Sequence, residues 1–175
     1  MLRPNDERSR WTAVQAAWRA VDREIEPDED DRDDSWPVTK RPLGLVEGIA
    51  ITIGIHGHAE TFVEAFDPSP LQHLECDVGP SSLLSRFTIH RCPMGDEGFD
   101  EHFVVRANDE AMARELLGGQ LRAALPDVPS PMHFRYQRGA IRITWSAASL
   151  EPRGLEAVLD VIVSACKRAP LAPYR

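Results

Sequence analysis

The residues of this 175-residue chain that are best suited to metal chemistry are histidines and cysteines near its middle. The four candidates are His73, Cys76, His90 and Cys92. Neutral imidazole and thiolate are the ligands that zinc prefers, and four of them could complete a tetrahedral site. However, there is no Cys-x-x-Cys pair, and His73 and Cys76 would point to opposite faces of one strand. We therefore expect no metal and no other cofactor, and we keep a metal site as the alternative interpretation.

No motif of a familiar enzyme class is present in the sequence. We find no Gly-x-Ser-x-Gly elbow, no phosphate-binding loop and no dinucleotide fingerprint. The tripeptide Gly118-Gly119-Gln120 also occurs in peptide-chain release factors, but here it interrupts a predicted helix. We assign no catalytic residues, and these observations favour a protein that is not an enzyme.

The hairpin predicted over residues 132–137 and 140–147 carries three arginines that could bind a partner. A two-residue turn at Arg138-Gly139 aligns three apolar pairs on one face. These pairs are Tyr136 with Ile141, Phe134 with Ile143, and Met132 with Trp145. The same register sets Arg135 opposite Arg142 on the other face. Like charges in that position are unfavourable unless nearby carboxylates or an incoming anion relieve them, so we predict that Arg135, Arg138 and Arg142 are partner-binding.

A second candidate surface is an amphipathic helix predicted over residues 8–25. Its apolar residues are spaced three or four apart and form one narrow stripe. They are Trp11, Val14, Trp18, Val21 and Ile25. The stripe has two interpretations: it packs on the chain's own domain, or it binds in a groove of another protein or of a second copy.

An acidic segment follows this helix. Between Glu26 and Asp34, seven acidic residues and one arginine carry a charge of −6, out of −8 for the whole chain. Together with Pro27, Pro37 and Pro42, this composition predicts a linker. We therefore divide the chain into a helix over 1–26, an acidic linker over 27–42 and one domain over 43–175. The chain outside Glu26–Asp34 carries only −2, the difference between −8 and −6, so we expect neither nucleic acid nor a membrane as a partner.

The remaining pattern predicts an α+β domain with a mainly antiparallel sheet of about seven strands and helices packed on one face. Strands are predicted over 49–55, 59–66, 71–78, 84–91, 99–107, 132–137 and 140–147, and helices over 109–117, 120–125 and 152–168. A three-residue loop after Ile55 would set Val63 opposite Ile51.

A pattern of apolar and helix-capping residues runs through residues 96–147. It consists of Phe99-Asp100-Glu101-His102-Phe103-Val104-Val105, Asp109, Ala113, Leu116-Leu117, Phe134 and Gly139. This set resembles an uncharacterised bacterial domain family, in which a Phe-Asp-x-x-Phe-x-Val strand precedes an Asp-x-x-x-Ala-x-x-Leu-Leu helix and a hairpin. The Gly118-Gly119 pair departs from that pattern. The resemblance implies a cytoplasmic bacterial domain of unknown function.

The sequence thus favours a non-enzymatic protein-binding or adaptor protein of a bacterial cytoplasm, which engages its partner through the N-terminal helix with Trp11 and Trp18 and through the acidic segment. An odd number of cysteines and an N-terminus without an apolar signal segment fit that compartment. The expected partner is another protein or a second copy of the chain, and no small-molecule ligand is predicted. The alternatives are a metal protein or enzyme built on the His/Cys set, and an inhibitor or immunity-type protein whose acidic segment masks a basic partner.

Overall fold

An antiparallel sheet of eight strands organises this protein. The computed structural model describes residues 12–14, 16–21, 25–26, 40–56, 60–81, 91–146 and 151–167. The strands are β1 Ile25–Glu26, β2 Lys40–Val46, β3 Ile49–His56, β4 Glu60–Phe66, β5 Glu75–Pro80, β6 Phe103–Ala107, β7 Met132–Gln137 and β8 Ala140–Ser146. Their order in the sheet is β1-β2-β3-β4-β8-β7-β5-β6, and every pairing is antiparallel. Without the two-residue β1 the described residues hold seven strands, the predicted number, although β2 was not predicted and takes the place of the strand predicted over 84–91 in that count.

Helices cover one face of this sheet. They are α1 at residues 12–14 and 16–19, α2 Glu97–His102, α3 Glu110–Leu116, α4 Gly119–Ala124 and α5 Pro152–Cys166, with a 3₁₀ helix at Leu125–Asp127. Buried side chains of α1, α3, α4 and α5 share one hydrophobic cluster with the inner face of the sheet. None of the described helices is long and apolar enough to cross a membrane. The antiparallel sheet and the helices packed on it confirm the predicted α+β class.

A row of apolar residues in register across six strands forms the floor of the core. It runs through Ile53, Val63, Ile143, Phe134, Val78 and Val105. All six residues are at most 1% exposed. Because strand side chains alternate between faces, the residues next to this row point to the opposite, outer face. The core row thus fixes which side chains the outer face presents.

The C-terminal hairpin has the predicted register. Tyr136 pairs with Ile141, Phe134 with Ile143, and Met132 with Trp145. Arg138 and Gly139 form the turn with φ values of 53° and 82°. Two successive positive φ angles are what a two-residue hairpin turn requires.

The predicted register of β3 and β4 is wrong by two residues. Val63 pairs with Ile53, and Ile51 pairs with Ala65 instead. The strands close at the pair His56–Glu60, so the three-residue connection lies one residue later along the chain than predicted. This shift moves every pair by two residues, which leaves each side chain on its predicted face.

The strand predicted over 99–107 is wrong in its first half, which is helix α2. The carboxylate of Asp96 accepts a hydrogen bond from the Phe99 amide at 3.2 Å and caps the helix. Asp100 accepts hydrogen bonds from the amides of Met94 (3.0 Å) and Gly95 (3.1 Å), which fixes the preceding loop. These local side-chain bonds favour a helical start over an extended one.

Other boundaries also differ from the prediction. The strand predicted from Leu71 begins only at Glu75, because a turn with a positive φ at His73 precedes it. The strand predicted over 84–91 lies almost entirely outside the described residues. The break at Gly118-Gly119 is confirmed, since α3 ends at Leu116 and α4 begins at Gly119.

The N-terminal residues contact the same core as the sheet. Val14 and Val21 of the predicted stripe are 2% and 7% exposed and belong to the single hydrophobic cluster. Ile25 and Glu26, the end of the predicted helical segment, form β1 and pair with β2. Strand β2 begins at Lys40, three residues before the predicted start of the domain, and bulges between Pro42 and Gly44.

Candidate functional site

Four charged side chains lie in one row across the outer face of the sheet. Asp77 of β5 pairs with Arg135 of β7, Arg135 with Arg142 of β8, and Arg142 with Glu64 of β4. We call the outer surface of these four strands the arginine face. Strands in a sheet are about 4.8 Å apart, so the two arginines are neighbours on a rigid frame.

Each arginine of the row is paired on its outer side with a carboxylate. Arg135 Nε donates to Asp77 Oδ1 at 2.8 Å, and Arg142 pairs with Glu64. The hydrogen bond and charge of Asp77 raise the pKa of Arg135. Neighbouring carboxylates therefore relieve the like charges that the sequence set opposite each other. The acidic segment could also supply such an anion, but its residues 28–34 lie outside the described residues.

Aromatic side chains flank the row along β4. The guanidinium of Arg142 lies 4.6 Å from the ring centroid of Phe62, a cation–π distance. Gly54 of the neighbouring strand makes room for that ring, because a side chain there would overlap it. Phe66, two residues beyond Glu64, is 74% exposed. Among the described residues it is the one large hydrophobic side chain that is exposed to solvent. The arginine face thus combines charge with exposed apolar surface.

The other predicted partner-binding residues lie elsewhere. Arg138 is at the hairpin turn, where it lines a polar depression together with Pro70 and His73. Val14 and Val21 point into the core, and Trp18 is half-buried against it. Trp11 and the side chain of Ile25 lie outside the described residues. The structure therefore brings together Arg135 and Arg142, and it separates them from the helical stripe.

The His/Cys set does not form a cluster within the described residues. There, no three histidine, cysteine or acidic side chains could hold a metal ion together. Burial raises the pKa of the Cys76 thiol to about 12, so it stays protonated near neutral pH, whereas zinc binds the thiolate. His73 is an exposed turn residue rather than a neighbour of Cys76 in a strand. His90 lies outside the described residues.

A pocket that the sequence analysis missed lies between α2, α4 and the start of β7. Its volume is about 560 Å³. Its apolar walls include Phe99, Phe103, Val128 and Met132. The rings of Phe99 and Phe103 stack with centroids 4.9 Å apart. We call it the α2–α4 pocket, and its size is in the usual range for small-molecule sites, about 300–1,000 Å³.

Three ionisable side chains also line the α2–α4 pocket: Asp96, His102 and Arg122. Arg122 Nη1 is 3.8 Å from Asp96 Oδ2, which is beyond hydrogen-bond length. Arg122 Nε is buried and has no hydrogen-bond acceptor among the described residues. His102 Nδ1 is 2.8 Å from the carbonyl oxygen of Gly98, within its own helix. The pocket is therefore lined by one arginine, and the Nε of that arginine has no acceptor among the described residues.

The sequence contained a partial signal for this pocket. Gly119 and Ala123 are four residues apart, as are Arg122 and Pro126, and all four line it. Phe99 and Phe103 share the same spacing, which is the helical one. The strand predicted over residues 99–107 hides this spacing, because residues four apart also share one face of a strand.

Comparisons with known proteins give a structural likeness and no family. No protein-family model matches the chain, and no curated protein matches it. Among solved structures it is similar to the mycobacterial trehalose monomycolate transport factor A, TtfA, with a TM-score of 0.57 and 13% sequence identity. The match covers 98% of this chain and 100% of that chain. At this identity the likeness concerns the fold.

Proposed function

We propose that this chain is a non-enzymatic protein-binding module, and that its arginine face docks a protein partner that offers a carboxylate to Arg135 and Arg142. The observation that carries this proposal is the in-register row of Asp77, Arg135, Arg142 and Glu64. The row has two positive charges at its centre and one negative charge at each end. An acidic side chain of a partner would fit the centre and would be repelled at the ends, which fixes its position.

The accessibility of the row supports this function. The side chains of Arg135 and Arg142 are 60% and 48% exposed although both are paired. Guanidinium groups have five donors, so a paired arginine keeps donors for a second carboxylate. Arginine and aromatic residues are enriched among the residues that dominate binding energy at interfaces. Phe66 offers such a partner an apolar contact on the same face.

The protein with a similar fold supports a non-enzymatic role. TtfA is described as a transport factor, which is not the name of an enzyme. Burial of Val14 and Val21 in the chain's own core leads us to place partner binding on the arginine face rather than on α1. The proposed setting remains the bacterial cytoplasm, where the three buried cysteines, which form no disulfide, would stay reduced.

Site-specific photo-crosslinking in the native host tests this proposal. A photoreactive phenylalanine analogue replaces Phe66 on the arginine face, and in a second protein it replaces Glu110 of α3, which is exposed on the helical layer. We expect a discrete protein adduct from position 66 and none from position 110. Adding Arg142→Ala should remove the adduct from position 66, because it removes half of the positive centre.

Two outcomes would contradict the proposal. Equal adducts from both positions would mean random collisions, and an adduct that survives Arg142→Ala would mean that the arginine pair does not recognise the partner. Crosslinking of the purified chain alone identifies a second copy as the partner if it gives the same adduct. Arg114→Ala, on α3, is the matched control for loss of one arginine and should leave the adduct intact.

A further inference from the structure

We propose that the α2–α4 pocket binds a small amphipathic carboxylate, with its apolar body against the phenylalanine walls and its carboxylate on Arg122. This ligand site is separate from the arginine face, since its strand residues Pro80, Phe103 and Met132 lie on the inner face of the sheet. The proposal rests on three features of the pocket: its volume, its apolar walls and the presence of one arginine, Arg122, in its lining.

The volume and walls fit a small apolar molecule. About 560 Å³ of space is bounded by Phe99, Phe103, Val128 and Met132, with Pro80 beside them. Phe99, Phe103, Val128 and Met132 are each at most 9% exposed, so the walls are part of the packed core. Rigid walls keep the pocket open, because core side chains cannot collapse into the space without losing their own contacts. An apolar ligand body gains from leaving water at such a site.

Arg122 supplies the polar recognition. Its side chain is 27% exposed, its Nε is buried, and that Nε has no acceptor within the described residues. Because the buried Nε is closed to a water-sized molecule, a ligand in the pocket would meet the exposed part of the Arg122 guanidinium, which can donate charge-assisted hydrogen bonds. A carboxylate matches the planar guanidinium with two parallel hydrogen bonds.

Asp96 selects for a single negative charge. Its carboxylate lines the same pocket, caps α2 through the Phe99 amide and lies 3.8 Å from Arg122. A singly charged carboxylate can approach Arg122 from the side away from Asp96, whereas a doubly charged phosphate meets stronger repulsion. A neutral alcohol would lose the charge-assisted bond to Arg122.

Binding is measured by NMR on the full chain, from the chemical shifts of isotopically labelled methionine methyl groups. Met132 lines the pocket, and Met112 on α3 is the internal control. The probes are decanoate, 1-decanol and decyl phosphate at neutral pH. We expect a saturable shift of the Met132 methyl with decanoate, weaker binding of the other two probes, and little change at Met112. Absence of a saturable shift at Met132 overturns the proposal, as does tighter binding of decyl phosphate or 1-decanol.

Variants then test the role assigned to Arg122. Arg122→Gln should weaken decanoate about tenfold, since a charge-assisted hydrogen bond is lost. Arg114→Gln removes an arginine that does not line the pocket and should leave the affinity unchanged. Ala123→Phe keeps Arg122 and fills space from an exposed pocket position, so it should abolish binding even if Arg122→Gln fails to fold. Unchanged affinity in Ala123→Phe would place the ligand elsewhere and overturn the proposal.

Discussion

The arginine face and the α2–α4 pocket each set an arginine near a carboxylate, and the two pairs differ in how they are made. On the face, Arg135 Nε is 2.8 Å from Asp77 in an exposed, well-aligned pair. In the pocket, Arg122 is 3.8 Å from Asp96, and its buried Nε has no acceptor in the described part of the chain. The arginine face therefore holds an arginine whose Nε has an acceptor, whereas the pocket holds an arginine whose Nε is buried without an acceptor among the described residues.

This difference gives the two regions opposite energetic roles. An exposed ion pair stabilises a fold by about 0–1 kcal/mol, so the face can present charges at little cost. A buried donor without a partner costs about 1–3 kcal/mol, so Arg122 lowers stability until something accepts from it. A costly residue that is kept in a pocket is a common property of binding sites.

The largest expected effect distinguishes the walls of the pocket from the surface of the face. Phe103→Ala should lower the free energy of unfolding by about 3–5 kcal/mol, because Phe103 is a buried wall that stacks on Phe99. Phe66→Ala should change it by less than about 0.5 kcal/mol, because Phe66 is 74% exposed. Urea denaturation followed by circular dichroism measures both. Similar costs for the two substitutions would show that the face is covered or that the pocket wall is not packed.

The same contrast explains what the sequence could predict. The face was predictable because the hairpin is local: a two-residue turn fixes its register, and with it the opposition of Arg135 and Arg142. The carboxylates that pair with them come from β4 and β5, 78 and 58 residues away in sequence. Local pattern could place the arginines together but could not name their partners.

The pocket escaped prediction for a geometric reason. Phe99 and Phe103 are four residues apart, and such residues share a face both in a helix and in a strand, because four is near 3.6 and is also even. The apolar pattern therefore could not separate the two structures. The deciding bond, from the Phe99 amide to Asp96, is a capping contact that an Asp three residues earlier permits but does not require. The other walls come from α4 and β7, which only tertiary packing brings to α2.

The N-terminal stripe shows a third limit. The spacing correctly placed Val14 and Val21 on one face of a structured segment, and both are buried. The same spacing suits a helix that packs on its own domain or on another protein. Which of these occurs depends on whether the sheet leaves apolar surface uncovered, and the stripe itself carries no information about that.

The next effect concerns the glycine that supports the arginine face. Gly54→Ala should cost about 1–3 kcal/mol, because the new Cβ would overlap the Phe62 ring that lies beneath Arg142. Gly119→Ala at the pocket is the matched control, since a Cβ there meets nothing within 4 Å and alanine favours helix by up to about 1 kcal/mol. Thermal denaturation of both variants checks this. A Gly54→Ala variant as stable as Gly119→Ala would mean that the Phe62 ring moves aside without cost.

A smaller effect compares Arg122 of the pocket with Arg142 of the arginine face. Replacing each by methionine should change the free energy of unfolding in opposite directions. Arg122→Met should raise the unfolding free energy by about 1 kcal/mol, because it removes a buried donor without an acceptor. Arg142→Met should lower it by up to about 1 kcal/mol, because Glu64 and the Phe62 ring lose their cation. Chemical denaturation of the ligand-free chain measures both values. A loss of stability in Arg122→Met would remove the distinction between the face and the pocket.

The smallest effect isolates the ion pair at the end of the row. A double-mutant cycle with Arg142→Ala and Glu64→Ala should give a coupling of about 0.2–1 kcal/mol, near the upper end because Glu64 is only 16% exposed. The coupling should fall when the salt concentration rises from 0.05 to 0.5 M (roughly a threefold drop in the Debye length), since exposed charges are screened. The same cycle for Arg122 and Asp96, whose closest atoms are 3.8 Å apart, should give less. A larger coupling in the pocket than on the face would mean that Asp96 already satisfies Arg122, and the case for an incoming carboxylate would fail.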